Sequence, residues 1–171
     1  MKKYEFTGET KEIRLLFRTA TLHRIRATVA FGIVEVGDLG GWIEKEENLS
    51  HEGKAWVCGD AEVWGNAKVC GDAKVCGDAK VCGDAEVFSA SHVLVIGAIG
   101  SRNDFTTFYR DKDNEITVKC GCFLGKIDRF LEKVTQTHGD SKYALVYRAA
   151  VEVAKLQIDL SGEAPKDADE E

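Results

Sequence analysis

Residues 57–98 fall into seven consecutive six-residue units, VCGDAE, VWGNAK, VCGDAK, VCGDAK, VCGDAE, VFSASH and VLVIGA. Valine opens every unit, and alanine or serine holds the fifth position of the first six. Gly-Asp or Gly-Asn fills positions three and four five times in succession. Chance does not keep valine in register over seven units. The pattern therefore predicts a solenoid of short strands.

The alternation within each unit predicts an inside and an outside. Alanine and the next valine are two residues apart, so in an extended chain they point to the same side, and the residues between them point to the other. The Gly-Asp pair predicts a turn, because glycine tolerates positive φ and the aspartate side chain can bind nearby backbone N–H groups. One strand and one turn per six residues predicts a three-sided coil of eighteen residues. Seven units make about 2.3 coils.

Stacking at eighteen residues also predicts the outer surface of the repeat region. Lys80 should lie over Glu62, and Glu86 over Lys68, so two outward columns are charge-complementary. The other outward columns are apolar, namely Cys58/Cys76/Leu94, Trp64/Cys82 and Cys70/Phe88. Apolar stripes of this kind are rarely left in water, so we expect either the flanking regions or other subunits to cover them. If other subunits cover these stripes, the protein is a homo-oligomer.

The residues before the repeats, 1–54, are predicted to form a β-rich N-terminal cap. Residues 13–18 and 22–29 have the composition of strands. A glycine-rich turn is predicted over residues 37–43, and it contains Trp42. Because a short solenoid needs its open ends closed, we expect Trp42 to lie over the first coil of the region 55–96.

The residues after the repeats, 97–160, are predicted to form a C-terminal α+β domain. Residues 105–110 and 115–119 indicate a β-hairpin. Apolar residues at i, i+3, i+4 and i+7 from Ile127 indicate an amphipathic helix that ends near His138. A second helix should run to about Gln157. Its predicted inward residues are Leu145, Val146, Ala149, Ala150 and Val153. The acidic tail, 161–171, is predicted to be disordered.

Two stretches carry a likeness to known proteins. The repeats resemble those of the hexapeptide-repeat family. This resemblance implies a left-handed parallel β-helix and favours a trimer. The segment GDLGGWIEKEENLSHEGKAWVCGDAEVWGNAKV, which starts at Gly37, is similar to bacterial and prophage proteins in which a Gly-Gly-Trp cap precedes such repeats. Those proteins are often described as polymer-forming or as transferases. The fold itself hosts enzymes and scaffolds alike, so it does not assign an activity.

Composition narrows the possible partners. The formal net charge is −6, whereas nucleic-acid binders usually carry a basic stripe, so we expect no nucleic-acid partner. No apolar stretch approaches the roughly 18–20 residues of a membrane helix, and the polar start lacks the apolar core of a signal peptide. We therefore expect no membrane association and a cytoplasmic location, in the host cytoplasm if a phage encodes the protein.

The family resemblance implies one enzymatic alternative, an acyl-CoA-dependent acyltransferase with a histidine as general base. His92 is the histidine inside the repeats. Stacking predicts that it faces outward, one coil above Lys74 and two above Trp56. A lysine in that column would lower the histidine pKa, and no carboxylate stands there to orient the ring. We therefore expect a surface histidine and no catalytic residue, with His92 kept for the acyltransferase alternative.

The cysteines suggest a metal site at first sight. Cys120 and Cys122 form a CxC pair, with His138 the nearest further ligand, but structural zinc prefers four ligands in CxxC-like pairs. A disulfide between Cys58 and Cys76 is disfavoured because side chains of in-register parallel neighbours run side by side. We interpret the cysteines as small apolar residues and predict no metal and no cofactor.

A glycine-flanked loop, residues 97–103, is the best candidate for a binding site. It offers Ser101, Arg102 and Asn103, and Arg110 follows on the next strand. Such a loop can hold an anion, or it can be a simple domain junction. We favour a non-catalytic binding or assembly protein, a phage or prophage accessory factor that contacts a host protein or a small anionic ligand through its C-terminal domain.

Overall fold

The computed structural model describes residues 1–162, which form thirteen strands followed by two helices. The first nine strands are β1 (Tyr4–Arg14), β2 (Thr19–Ala27), β3 (Leu39–Ile43), β4 (Trp56–Val57), β5 (Glu62–Val63), β6 (Lys68–Val69), β7 (Lys74–Val75), β8 (Lys80–Val81) and β9 (Glu86–Val87). The remaining elements are β10 (Val93–Ile99), β11 (Asp104–Arg110), β12 (Ile116–Cys120), β13 (Phe123–Lys126), α1 (Ile127–His138) and α2 (Lys142–Gln157). The protein is mainly β with two C-terminal helices.

The short strands β4–β9, which we call the spine, pair in parallel with the strand three units further along. Val57 pairs with Val75, Val63 with Val81, and Val69 with Val87. All six valines, and the alanines two residues before them, are buried. Lys80 pairs with Glu62, and Glu86 with Lys68. The eighteen-residue offset, the inward valines and the charged outward columns are thus confirmed.

The seventh unit departs from the prediction. Val93 does not continue the spine but begins β10, where it pairs antiparallel with Tyr109 of β11. The reason lies in the preceding unit, VFSASH, which lacks the Gly-Asp pair. Residues Ala90–His92 form a 3-10 turn in its place and redirect the chain. The pairing pattern of the repeats therefore ends at β9.

The N-terminal region is β-rich as predicted, but Trp42 does not cover the end of the spine. Strands β1 and β2 form a long hairpin, and β3 joins it to the spine by pairing in parallel with β5. Ile43 pairs with Val63 and is fully buried, so it takes the inward position. Because side chains alternate along a strand, Trp42 points outward, with the Lys11 ammonium 4.6 Å from its ring centroid.

The flanking regions cover two of the three apolar outer columns. Trp64 and Cys82 are buried in a cluster with Leu22 of β2, against which Ile13 and Trp42 also pack. On another face the Arg110 guanidinium lies 4.5 Å above the Phe88 ring centroid. On the third, Cys58 and Cys76 form a disulfide with a Cα–Cα distance of 4.6 Å. The prediction against this disulfide was wrong, because the side chains of these two in-register neighbours converge enough for their sulfurs to bond.

The C-terminal unit is a four-stranded antiparallel sheet, β10-β11-β12-β13, with both helices packed against it. The predicted hairpin is confirmed as β11 and β12, and the predicted first helix as α1, which ends at His138 and is followed by the C-cap Gly139 with φ of 57°. Tyr109 joins this unit to the spine, because its hydroxyl donates to the Cys82 carbonyl at 2.9 Å. No helix within residues 1–162 is long and apolar enough to cross a bilayer.

The second helix buries a different face from the predicted one. Its buried residues are Ala144, Tyr147, Ala150, Val151 and Ala154. Of the predicted inward residues Ala150 is buried, whereas Leu145 and Val153 are 61% and 48% exposed. The sequence of α2 is apolar on both sides, so periodicity alone could not select the face. From residue 163 onward, the predicted disordered tail lies outside the described residues.

Candidate functional site

A cleft of about 180 Å³ opens at one end of the C-terminal sheet. We call it the C-terminal cleft. The β10–β11 turn contributes Ser101 and Arg102, and the β12–β13 turn contributes Cys122. Helix α1 contributes Lys133, and α2 contributes Tyr147. Four separate chain segments therefore converge on one concave surface.

The floor of the cleft is aromatic and rigidly packed. Phe130, Val134 and Tyr147, all buried, line it. The Tyr147 ring meets the Phe130 ring edge to face, with centroids 5.7 Å apart, and stacks on His138 at 5.7 Å. Offset and edge-to-face ring contacts of this kind fix orientation. The floor can therefore support the apolar body of a ligand.

Gly100 makes this floor possible. Its φ is +76°, and a Cβ at this position would overlap the Tyr147 hydroxyl. A side chain is thus excluded both by the backbone conformation and by the close approach of the ring. The turn is closed by the Asn103 N–H, which donates to the Gly100 carbonyl at 3.3 Å. The sequence of the turn fixes where Ser101 and Arg102 stand relative to α2.

The Tyr147 hydroxyl stays protonated at neutral pH. Burial raises the pKa of Tyr147 to about 12, and neighbouring Cys120 adds to the shift. Arg102 acts in the opposite direction, because its positive charge favours the phenolate. A protonated phenol is a hydrogen-bond donor. The Tyr147 phenol therefore stays neutral, with its hydroxyl hydrogen-bonded to Cys120.

The charges at the rim are mixed but favour an anion. Arg102 and Lys133 supply two cations, while Asp104 supplies one carboxylate. The Asp104 carboxylate already accepts a hydrogen bond from the Phe105 N–H at 2.7 Å. Arg102 is exposed, and its planar fork of donors suits a carboxylate or phosphate. A ligand with one anionic group and an apolar body fits these surroundings.

No protein-family model matches the chain, and no curated protein matches its sequence. The resemblance to hexapeptide-repeat proteins therefore stays a prediction, and the assignment of function depends on the geometry of the C-terminal cleft.

The structure separates the four predicted site residues. Ser101 and Arg102 line the C-terminal cleft, but Asn103, with φ of 47°, does not and instead closes the turn. Arg110 lies at the opposite end of β11 and is buried. Its Nε donates to Asn114 Oδ1 at 2.6 Å. The expectation that Arg110 joins the loop was wrong, because a seven-residue strand separates them.

The structure places His92 in a different environment from the predicted one. It is 2% exposed rather than facing outward above Lys74, because the 3-10 turn replaces the seventh spine strand. Its Nδ1 accepts the Phe88 N–H at 3.3 Å. Burial, and secondarily the charge of Arg110, lower the pKa of His92. A general base must reach its substrate, and this buried imidazole has no such access.

The two sulfurs of the CxC pair lie at the cleft without forming a metal cluster. Cys120 and Cys122 both line it, and the Thr106 hydroxyl donates to Cys120 Sγ at 3.4 Å. Within residues 1–162, no three His, Cys, Asp or Glu side chains are grouped so as to hold a metal ion. Both thiols are free. They form part of the cleft wall.

Sequence reasoning missed the helical half of the site. Lys133 and Tyr147 lie thirty or more residues from the 97–103 loop in sequence, and no local motif marks them. The one local signal was Gly100, whose lack of a side chain indicates that something approaches closely. The partner in that approach, Tyr147, becomes visible only in the folded chain.

Proposed function

We propose that the protein is a non-catalytic binding protein whose C-terminal unit holds a small anionic ligand. The observation that carries this proposal is the C-terminal cleft, which is lined by Arg102 and Lys133 together with the aromatic side chains of Phe130 and Tyr147. Ligand sites are commonly concave and mostly apolar, with a few convergent polar groups. The cleft has this composition.

The size of the cleft limits the ligand class. An engineered apolar cavity of about 150 Å³ in another protein binds benzene. The 180 Å³ cleft thus suits a single ring that carries one carboxylate or phosphate. The anion would lie against Arg102 and the Ser101 hydroxyl, and the ring against Tyr147. Benzoate and phenyl phosphate are suitable probes of these two chemistries.

The spine serves this proposal as a scaffold. We propose that it coils as a left-handed parallel β-helix in the manner of hexapeptide-repeat proteins. The eighteen-residue pairing offset supports the coil, as do the spine glycines such as Gly59 and Gly65, which adopt φ of 62° and 69° in successive turns. The handedness, a phage or prophage origin, a host protein as partner and a cytoplasmic location rest on sequence reasoning and resemblance.

We also propose that the protein is a homo-oligomer, although the structure removes part of the original reason for expecting one. A homo-oligomer was expected because apolar columns on the repeats needed cover, and a trimer because of the family resemblance. The columns of Trp64/Cys82 and Phe88 are covered by β2 and by Arg110, respectively. The trimer stays a prediction from resemblance. The acyltransferase alternative is not developed, because its base, His92, is buried.

Titration calorimetry with benzoate and with phenyl phosphate tests the proposal. Arg102→Ala should weaken binding by about 1.5–3 kcal/mol, the scale of a charge-assisted hydrogen bond. The melting temperature should hardly change, because Arg102 is exposed. Binding by the wild type shows that the cleft is functional in principle, and the variant shows that Arg102 holds the anion.

Asn103→Ala is the matched control, since Asn103 is the next residue yet does not line the cleft. It should leave the affinity unchanged while lowering the melting temperature slightly, because it adopts positive φ in the turn. Equal losses of affinity in the two variants would point to a general disturbance of the loop. Absence of binding by either probe would contradict the proposal.

A further inference from the structure

Two thiols line the C-terminal cleft at the β12–β13 turn. Cys120 ends β12 and pairs with Phe123, and Cys122 lies between them in the turn. Cys122 is exposed, Cys120 is partly buried, and both are free thiols. The Thr106 hydroxyl, which donates to Cys120 Sγ at 3.4 Å, holds the second thiol at the cleft wall. Because the two sulfurs border one cleft, a molecule that enters it meets both.

The turn that carries these thiols is surrounded by positive charge. A side-chain carbon at Gly121 would lie 3.2 Å from Arg102 Nη1, so the guanidinium reaches the residue between the two cysteines. The Lys119 ammonium donates to the Gly121 carbonyl, and Lys133 lines the cleft. Asp104 contributes one carboxylate to the same lining. An excess of cations together with partial exposure is typical of the surroundings in which protein thiols react.

Cys82 gives an internal comparison, because it is a free thiol in the opposite environment. It is 1% exposed in a cluster with Leu22 and Trp64, and burial raises the pKa of its thiol. The thiolate is the nucleophilic form of cysteine, so Cys82 should be inert in the folded chain. A reagent that separates these two environments therefore reports on the cleft.

We propose that Cys122 and Cys120 form a thiol–disulfide exchange site for small anionic disulfides, written here RSSR. The exposed Cys122 thiolate attacks one sulfur of RSSR, so that a Cys122–S–SR bond forms, the RS–SR bond breaks and RS⁻ leaves. The Cys120 thiolate then attacks the Cys122 sulfur, which forms the Cys120–Cys122 disulfide and expels the second RS⁻. The two thiol protons pass to the two RS⁻ groups. The cysteine pair loses two electrons, and RSSR is reduced to two RSH.

This inference rests on the proposed function in one respect, namely that Arg102 attracts an anion into the cleft. The suitable probe is dithiobis(nitrobenzoate), because each half of this disulfide is a single ring with one carboxylate, and the thiolate it releases is coloured. Neutral dithiodipyridine is the matched reagent without charge. Both disulfides are supplied to the native full-length chain.

Peptide mapping locates the reaction. Cleavage after lysine and arginine gives the peptide 120–126, which holds both cysteines of the turn, and the peptide 81–102, which holds Cys82. In the wild type we expect peptide 120–126 to lose two hydrogens and to carry no adduct, while Cys82 stays reduced. Cys120→Ser should keep the aromatic adduct on Cys122, because the second attack is then impossible. Cys122→Ser should react about 10-fold more slowly at Cys120, which is less accessible.

A charge variant tests the preference for anions. Arg102→Ala should slow the reaction with dithiobis(nitrobenzoate) about 10-fold more than the reaction with dithiodipyridine, because only the first reagent loses an attraction. The ratio of the two rates cancels any change in the thiol itself. Arg129→Ala is the matched control, since Arg129 is exposed on α1 but does not line the cleft, and it should leave the ratio unchanged.

The double variant Cys120→Ser/Cys122→Ser separates this inference from the proposed function. It should still bind benzoate in calorimetry, while losing the reaction assigned to peptide 120–126. Benzoate binding by a wild type whose peptide 120–126 stays reduced would overturn the exchange site alone. Exchange at normal rates without benzoate binding would contradict the proposed function alone. Cys82 reacting as fast as peptide 120–126, a wild-type adduct that persists on Cys122, or a rate ratio unaffected by Arg102→Ala would each overturn the inference.

Discussion

The interiors of the spine and of the C-terminal unit differ in the kinds of side chain that they bury. The spine fills its interior with valine and alanine alone, and its strands carry no buried polar side chain within the described residues. The C-terminal region buries Thr106, Thr107, Arg110, Asp111 and Thr117. A strict repeat of small apolar side chains leaves no room for irregular side chains in the interior of the spine. The irregular unit, by contrast, produces a cleft.

The buried Asp111 is the centre of a hydrogen-bond network in the C-terminal unit, whereas Nη1 of the buried Arg110 has no hydrogen-bond partner within the described residues. Asp111 Oδ2 accepts hydrogen bonds from the Thr117 hydroxyl and from the Lys126 ammonium, both at 2.6 Å. Asp111 Oδ1 accepts from the backbone N–H of Asp113 at 2.9 Å. Such networks specify one packing, because each unsatisfied member costs about 1–3 kcal/mol. The network lies at the end of the sheet opposite the turn residues of the C-terminal cleft.

The largest effect should come from a charge inside the spine. Val75→Asp places an unpaired carboxylate in an apolar interior and should cost more than about 4 kcal/mol, which prevents folding. Its neighbour Lys74 is exposed, so Lys74→Asp should cost less than about 0.5 kcal/mol. Thermal melts followed by circular dichroism compare the two. If Val75→Asp prevents expression, Val75→Ala should still lose about 2 kcal/mol. Equal melts would contradict the inward assignment.

An intermediate effect should come from the joint between the two regions. Tyr109→Phe removes the hydroxyl that donates to the Cys82 carbonyl, so a buried acceptor loses its partner. We expect a loss of about 1–3 kcal/mol in urea unfolding. Tyr143→Phe is the control, because Tyr143 is 41% exposed, and it should leave the free energy of unfolding unchanged. An unchanged stability of Tyr109→Phe would mean that this hydrogen bond does not contribute to joining the two regions, which are also linked by the bond from the Lys80 N–H to the Thr107 hydroxyl.

The smallest effect concerns a buried cation at the N-terminal end of the spine. Lys3 Nζ donates to the Ala55 carbonyl at 2.8 Å, and burial lowers the pKa of Lys3 from 10.5 to about 8. Between these values the unfolded chain binds more protons than the folded one, so this residue makes stability rise with pH from about 8 to about 10.5. Between pH 7.5 and 9.5 the gain should be about 1–2 kcal/mol.

Other groups titrate in the same range, so the comparison with Lys3→Met isolates the contribution of Lys3. The wild-type stability should rise relative to that of Lys3→Met as the pH increases from 7.5 to 9.5. Parallel curves for the two proteins would show that the Lys3 ammonium keeps an ordinary pKa. The spine's N-terminal end would then be more accessible to water than the 3% exposure of Lys3 indicates.

The sequence was most informative where its pattern repeats. Valine at every sixth position predicted the pairing of Val57 with Val75, and turn residues predicted the β11–β12 hairpin. It was less informative where two arrangements bury similar apolar area. Helix α2 has apolar residues on both sides, and the side with Ala144 and Val151 is buried because small residues allow close packing on the sheet.

The candidate site was predictable only in the half that is local in sequence. Glycines around residues 97–103 indicated a special loop, and Ser101 and Arg102 do line the C-terminal cleft. Lys133 and Tyr147 come from helices whose placement depends on long-range packing. Arg110 was misplaced because proximity along the chain does not imply proximity across a seven-residue strand.

The central claim is that binding occurs in the C-terminal cleft while the spine serves as a scaffold. A titration of the full-length, isotope-labelled protein with benzoate, followed by amide chemical shifts, locates the ligand directly. We expect saturable shifts at Ser101, Arg102 and Lys133, and unchanged amides in β4–β9. Shifts centred on the spine, or no saturable shift at millimolar benzoate, would contradict the claim.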